Sequence, residues 1–522
     1  MTAADEGTGR PGATPPRRRP TFSEGVAFSV LSFGSIAVLS LVTAVVTARI
    51  YGIQVMGEFA LAFAPTGIVW VLSSVREQPA LVRALAPLAP RDPRATGLFA
   101  AVFGFSFVLT LTVSALAAGV VILVFDGPLD QPGLVGPALA SLAGYVLVTN
   151  PCWNIDTVFA AYRAGRQLFW VRLHQAVAYL VLAILASIEL GTVWGPILAT
   201  IASWATALVH RLVILPQWIR IRVPRADLED GRRALPELIR FGLKITPATL
   251  ADGIANESGT WILAATGSIV TLGAYNRAWT LSRRFVELNW RLAEMLLPTL
   301  VERRSTGDRE GFDRALVDTL RYVAIGMLLP AAAGGGAATQ VMELFGPGFD
   351  EGAGALAILL LMPALATLSS SQNMALLSLD RPLTMTWITL ARMVTILVAS
   401  TALTLSMGPT GTALGVICGY AVDLALQLLV TRRHLATPLH VLWPAREVAG
   451  LVVAYTVGFA ASRGAGSLVG GAAGLLLALP AGAVAYAVAY VVVGGWGTRD
   501  ARRFDALVGA RLRRRRVRLT AP

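Results

Sequence analysis

Residues 25–48 read GVAFSVLSFGSIAVLSLVTAVVTA, 24 positions without a charge. Wound as a helix at about 1.5 Å per residue, the segment reaches roughly 36 Å, enough to cross a ~30 Å hydrocarbon core. Comparable stretches recur along the chain as far as Trp496. Hydrophobic residues make up 55% of the sequence and charged residues 14%, with a mean hydropathy of +0.64. A soluble domain carries roughly 25% charged residues, so much of this surface is built for lipid. Strand-like alternation is missing from the apolar runs, which argues against a β-barrel. The sequence therefore predicts an all-α polytopic membrane protein.

The formal charge of +13 sits in short loops and at the two ends. Arg511, Arg513, Arg514, Arg515, Arg516 and Arg518 follow the last apolar stretch closely. A juxtamembrane cluster of this kind binds anionic inner-leaflet lipid, and no nucleic-acid partner is expected. The N-terminal tail, with Arg17, Arg18, Arg19 and Pro20, has a disordered composition. Its following apolar run is too long for a cleaved leader and lacks an A-x-A site, so it reads as a retained signal anchor.

Loop charges set the topology. With the N-terminus inside, residues 25–48 and 56–75 form the first two spans. Arg76, Arg83, Arg91 and Arg94 mark an inside loop, and the segment 125–132, bearing Asp126 and Asp130, lies outside. Arg163, Arg166 and Arg172 return the chain inside; Glu189 to Trp194 turns outside. The longest inside loop, 216–244, ends in an amphipathic stretch. Segments 267–273, 346–352 and 406–411 fall outside, alternating with inside loops at 302–314, at Asp380-Arg381-Pro382, and between Arg432, Arg433 and Arg446. A last hairpin turns near Arg463. The count is about 14 transmembrane helices with both termini cytoplasmic, in a cell (plasma or inner) membrane.

The chain also repeats itself. Gly52 to Phe59 is echoed by Gly267 to Tyr275, Gly165-Arg166-Gln167 by Asp380-Arg381-Pro382, and Gly195-Pro196 by Gly408-Pro409, all about 215 residues apart and in the same order. This predicts two six-helix pseudo-repeats, an N-terminal lobe over 23–218 and a C-terminal lobe over 242–433. A linker (219–241) joins them; a hairpin (445–497) and basic tails (1–22 and 498–522) complete the chain. Internal repeats of this kind characterise transporters that alternate access around a midplane site.

Gly57 to Ala62, Leu243 to Pro247, Leu272 to Ala278, Leu297 to Leu300 and Phe345 to Phe349 carry a resemblance. With these motifs the chain resembles the polysaccharide transporters, the oligosaccharide flippases of the multidrug/oligosaccharidyl-lipid/polysaccharide exporter superfamily. The likeness spans residues 25–495. It implies a bilobed flippase carrying a polyprenyl-diphosphate-linked saccharide outward, with glycosyltransferases or a polymerase of the same pathway as further partners.

Polar residues inside the spans are the site candidates, because a charge at mid-bilayer costs roughly 2.5–3.5 kcal/mol even on insertion scales and turns toward protein or a wet cavity. The eighth span holds Arg277, Arg283, Arg284, Glu287, Arg291 and Glu294. On a continuous helix, the spacing of Arg277, Arg284, Glu287, Arg291 and Glu294 aligns them on one face. Guanidinium matches phosphate bidentately, so Arg284 and Arg291 would suit a diphosphate cargo; an internal ladder of arginine–glutamate pairs is the alternative. Arg277, nearest the outer surface, is expected to snorkel. Asp252, Asn256 and Glu257 in the seventh span suit ion coupling or interhelical hydrogen bonding. Asn150 and Asn154 in the fourth span, beside Pro151 and Asp156, and Gln372 and Asn373 in the tenth, suit a shared polar cavity wall. Arg392 and Asp423 are placed to pair with each other.

Cys152 and Cys418 fall in apolar spans, and His174, His210, His434 and His440 lack ligand spacing, so no metal, cofactor or disulfide is expected. Neither a Walker motif nor a nucleophile elbow is present, and the chain does not read as an enzyme. A multidrug/cation antiporter of the same superfamily is the alternative function. It would want an acidic, aromatic cavity rather than an arginine face. A membrane glycosyltransferase would need a large external loop or catalytic acids, and the outside loops here are short.

Overall fold

The computed structural model describes residues 22–74, 77–220, 224–243, 246–286, 289–379 and 381–493. The basic tails, Asp380, Glu287 and the side chains of Arg291 and Glu294 lie outside the described residues. Among the described residues every regular element is helical. Ten segments are long and apolar enough to cross a membrane.

The first part of the chain comprises α1 (Phe22–Leu72), α2 (Glu77–Leu85), α3 (Pro93–Asp126), α4 (Val135–Gly144), α5 (Asn150–Ala161), α6 (Gly165–Glu189) and α7 (Trp194–Ile214). Helix α1 is long enough for two spans and leaves helical geometry at Gly52, whose φ of 75° suits glycine. The outside loop expected between the first two spans thus shrinks to a break at one residue. Between α4 and α5 the backbone makes a π turn, Tyr145–Thr149, just before Pro151. Proline offers no N–H to the carbonyl four residues back, and the turn widens there.

Helix α8 (Arg225–Leu243) is the expected amphipathic stretch. It lies against α3 at Gly97 and Gly231, where a Cβ on either residue would strike the other helix's backbone. Then come α9 (Thr246–Thr266), α10 (Ile269–Val286), α11 (Asn289–Ser305), α12 (Arg309–Gly336), the short α13 (Ala338–Glu343) and α14 (Ala353–Leu359), α15 (Met362–Ser378) and α16 (Pro382–Thr431). Neither α9 nor α10 is apolar enough to count among the ten: α9 bears Asp252, Asn256 and Glu257, and α10 bears three arginines. Helix α16 folds back on itself at Gly408, with φ 56°. The Thr404 and Thr412 hydroxyls meet at 2.7 Å across the bend, and the Ser400 hydroxyl donates to the Thr412 carbonyl at 3.2 Å.

After the one-turn α17 (Leu439–Leu442), α18 (Ala445–Leu468) and α19 (Gly471–Val492) form the last hairpin. Its turn falls after Leu468, five residues beyond the expected position near Arg463, because Gly464 and Gly466 continue the helix. Small residues let the backbones approach. Gly336 of α12 sits under Phe459 and Ser462, the Ser462 hydroxyl donates to the Ala333 carbonyl at 2.6 Å, and Tyr486 reaches the Ile325 carbonyl at 3.0 Å.

The second half of α1 is the seam between the early and late helices. Gly57 abuts the Ile269 carbonyl, and a Cβ on Gly273 would lie 2.5 Å from the Ile53 carbonyl. Further along, Gly67 faces the Glu257 carboxyl and Val71 fills the space beside Gly253. At the Gly52 end, Arg49 Nε donates to the Leu344 carbonyl at 2.7 Å.

Candidate functional site

Beside this seam, α9, α10 and α16 assemble a buried charge cluster. Arg392 of α16 ion-pairs with Asp252 of α9, lies 3.5 Å from Asp423 Oδ2, and stacks its guanidinium 4.8 Å over the Tyr420 ring. Asn256, one helical turn after Asp252, donates to it at 3.2 Å; Gln427, one turn after Asp423, donates to that carboxylate at 3.2 Å. Glu257 faces the seam and Arg283 is the charge opposite it, itself over the Trp279 ring at 5.6 Å. A cavity of about 200 Å³ opens here, lined by Glu257, Ser258, Trp261, Val71 and Leu397 among others.

The cluster is not saturated. Arg392 Nε, Asp423 Oδ2 and Gln427 Oε1 are buried without a hydrogen-bond partner among the described residues. Each such atom costs about 1–3 kcal/mol relative to a satisfied one. With three carboxylates (Asp252, Glu257, Asp423) against two guanidiniums (Arg283, Arg392), the named groups carry an excess negative charge when all are ionised. Such a wall can hold a cation or a proton, or exchange partners within itself.

A second cluster belongs to α3, α5 and α7. Arg211, only 1% exposed, grips Asp156 with both arms of its fork, Nε to Oδ1 at 2.8 Å and Nη2 to Oδ2 at 3.0 Å. Arg172 approaches the same carboxylate at 3.9 Å. One turn away, Asn154 donates to Asn150 Oδ1 at 3.0 Å and reaches the Ser106 hydroxyl at 3.3 Å. Trp204 and Trp153 stack beside Arg211, and His174 and His210 bring their Nδ1 atoms to 3.2 Å.

The structure thus unites Asp252, Asn256, Arg392 and Asp423 and adds Asp252 to the expected Arg392–Asp423 pair. Asn150 and Asn154 bond to each other and to Ser106 but leave Asn150 Nδ2 and Asn154 Oδ1 unpaired, while the Gln372 carboxamide and Asn373 Oδ1 find no partner among the described residues. Arg277 does not snorkel: it is 8% exposed and contacts Met56, with Tyr179 facing it. The reason is local. One turn earlier, Gly273 lets α10 touch α1, and the second half of α1 covers the arginine. Arg284 has a partner of its own, while the face expected to bind diphosphate also takes in Glu287 and the side chains of Arg291 and Glu294, outside the described part. Sequence reasoning missed Arg211 and the Arg321–Glu447 pair, 2.9 Å apart between α12 and α18. The same signal that marked Arg392, a charge inside an apolar span, was available for Arg211.

A helical bundle bent at glycines, its early and late helices meeting along α1, α9 and α10, defines a polytopic membrane fold. The family model described as "Polysaccharide biosynthesis protein" matches residues 46–342, more than half of the chain, and the chain belongs to that family. Among solved structures, it is similar to a lipid II flippase, MurJ, in an inward closed conformation (TM-score 0.64, 13% identity, 90% of this chain and 98% of that one). It is also similar to an inward-facing multidrug resistance MATE family transporter of the MOP superfamily (0.56, 16%, 78% and 94%) and to a point mutant of the Vibrio cholerae MATE transporter VcmN (0.51, 16%, 79% and 96%). These likenesses establish a shared fold. No curated protein matches the chain by sequence.

Proposed function

We propose that this protein is a flippase that moves a polyprenyl-diphosphate-linked oligosaccharide from the inner to the outer leaflet for cell-surface polysaccharide assembly. The family match carries the reading, because it spans the seam formed by α1, α9 and α10 and with it the α9 and α10 side of the cluster beside it. In this reading the bends at Gly52 and Gly408 each join two spans, α9 and α10–α11 cross as well, and the crossings number fourteen. The halves 23–218 and 242–433 rock about the seam. Both termini are cytoplasmic in the cell membrane, where the basic tails meet anionic lipid.

The wall formed by Asp252, Asn256 and Glu257 suits the coupling step, since a carboxylate beside a seam can exchange a proton or cation as the seam opens. Cargo contact is proposed for Arg284 and Arg291 on charge grounds and for Gln372, whose amide has no internal partner.

Deletion of the gene, followed by leaflet-resolved analysis of lipid-linked saccharides, tests the proposal. The precursor accumulates on the cytoplasmic leaflet and surface polysaccharide falls. Normal precursor outside, with raised sensitivity to cationic drugs, overturns it. A cysteine at Arg225 in intact cells stays unlabelled by an impermeant reagent, while one at Asp130 reacts; the reverse pattern inverts the topology.

A further inference from the structure

The end of the bundle that carries Gly52 and Gly408 holds a second cavity, away from the seam. It has a volume of about 390 Å³ and lies between the α12–α13 junction, the start of α14 and the end of α18. Gly335, Gly336, Gly354, Gln340, Arg463 and Ser467 line it. Gly354 lies against Thr410, just past the Gly408 bend, which fixes the cavity at that end.

Its polar groups are mismatched to the protein. Gln340 is 9% exposed, and its carboxamide makes no hydrogen bond among the described residues; it lies beside Gly466, Nε2 nearest, and of its two ends Oε1 is the fully buried one. Arg463 projects from α18, and no described carboxylate lies within ion-pair distance of it. The Ser467 hydroxyl is spent on the Gly464 carbonyl at 2.8 Å. What remains at the cavity is donor-rich: guanidinium N–H groups and an amide N–H₂, with no carboxylate in the lining. The Arg463 guanidinium has no carboxylate in the lining to pair with, so the niche gains most from a ligand that brings acceptors and negative charge.

We propose that this niche binds a phosphate ester, with the phosphate oxygens on Arg463 and Gln340, and that an anionic phospholipid headgroup supplies it. The site sits where α12 and α18, both long and apolar enough to cross a membrane, end, and the neighbouring Leu468 and Val469 are exposed apolar side chains suited to acyl chains. It is separate from the cluster at the seam and does not depend on the transport reading. The extra hairpin is then fastened to α12 and α14 by a lipid as well as by its own small-residue contacts.

The full-length protein, delipidated in detergent, is titrated with phosphatidylglycerol and analysed by native mass spectrometry; thermal unfolding with inorganic phosphate forms a parallel arm. Wild type retains one phosphatidylglycerol, and Arg463→Gln and Gln340→Leu each weaken retention about tenfold or more, the effect of losing one charge-assisted contact. Arg463→Lys, which keeps the point charge, retains an intermediate amount. Arg432→Gln, at the opposite end of α16, leaves retention unchanged. Protection by inorganic phosphate that Arg463→Gln abolishes, without retention of the lipid, supports the phosphate chemistry with a soluble source. Equal retention in wild type and Arg463→Gln with no phosphate effect overturns the proposal, as does an equal loss in Arg432→Gln. Unfolding temperatures of the ligand-free variants show whether each has folded.

Discussion

The two buried charge clusters differ in how completely they are closed. Around Asp156, the Arg211 fork makes both arms to one carboxylate, with Arg172 at 3.9 Å and Trp204 at its side. Around Arg392, one guanidinium is divided between two carboxylates on different helices, and three residues of the cluster leave polar atoms unpaired among the described residues. A saturated pair holds one geometry. An unsaturated one has partners to exchange, which is what a wall beside a moving seam requires. The difference separates a brace from a working site more sharply than burial does, since Arg211 and Asp423 are equally buried at 1% exposure.

The largest expected effect breaks the brace. Arg211→Leu strands Asp156 and costs about 3–5 kcal/mol, as for other buried pairs that lose one member. Folded yield and unfolding temperature in detergent read it, and Arg211→Leu combined with Asp156→Leu recovers much of the loss. A single variant as stable as wild type means that the pair is no brace at all.

The next effect lies in the other cluster and splits folding from transport. Arg392→Gln leaves Asp423, at 1% exposure, uncompensated and lowers folded yield, whereas Asp252 has 47% of its side chain exposed and keeps its hydrogen bond from Asn256. Adding Asp423→Asn restores the yield. Flipping stays lost in the double variant if the cluster works in transport, and returns with the yield if it is another brace. Abundance and leaflet-resolved flipping must therefore be measured on the same cells.

A smaller contrast concerns two amides. Asn154→Leu leaves Ser106 and Asn150 short of a partner, which costs about 1–3 kcal/mol. Gln372→Leu removes an amide that bonds to nothing described, at nearly the same volume, and is expected to be neutral or slightly stabilising while flipping falls. Should the two variants destabilise equally, the distinction between closed and open clusters loses its support.

How far the sequence reveals this depends on the range of the interaction. The spans are legible because about 20 apolar residues in a row have few other uses. The bends at Gly52 and Gly408 are marked as turns, since their glycines stand between apolar runs. Arg392 with Asp423 is within reach because both stand in neighbouring spans, 31 positions apart in one hairpin. Asp252 is not assigned to them by sequence, for it arrives from α9 through tertiary packing alone. Arg277 departs from expectation for a related reason: depth along a helix follows from sequence, but a covering helix does not. The burial of Arg277 is set by the contact of Gly57 and Gly273, residues far apart in the chain.

The smallest expected effect belongs to a carboxylate outside both clusters, and it calibrates them. Asp308 caps α12: its Oδ1 accepts from the Gly311 N–H at 2.8 Å, and its Oδ2 lies 2.5 Å from Arg303. The backbone hydrogen bond first, and the arginine second, hold its carboxyl below the ordinary value of 3.8. A folded-state value depressed in this way contributes stability that is present above the unfolded value and lost as pH falls through the folded one. The cap therefore acts in full at neutral pH and fails only in acid below the ordinary carboxylate range. Being open to water, it governs the first turn of α12 and not the fold. Asp308→Ala should speed amide exchange at Gly311 at neutral pH while leaving the unfolding temperature nearly unchanged, and Asp308→Asn should retain most of the protection without its acid sensitivity. If Asp308→Ala lowered stability as far as Arg211→Leu does, an exposed cap and a buried fork would count alike, and pairing geometry could not be used to tell the brace from the working site.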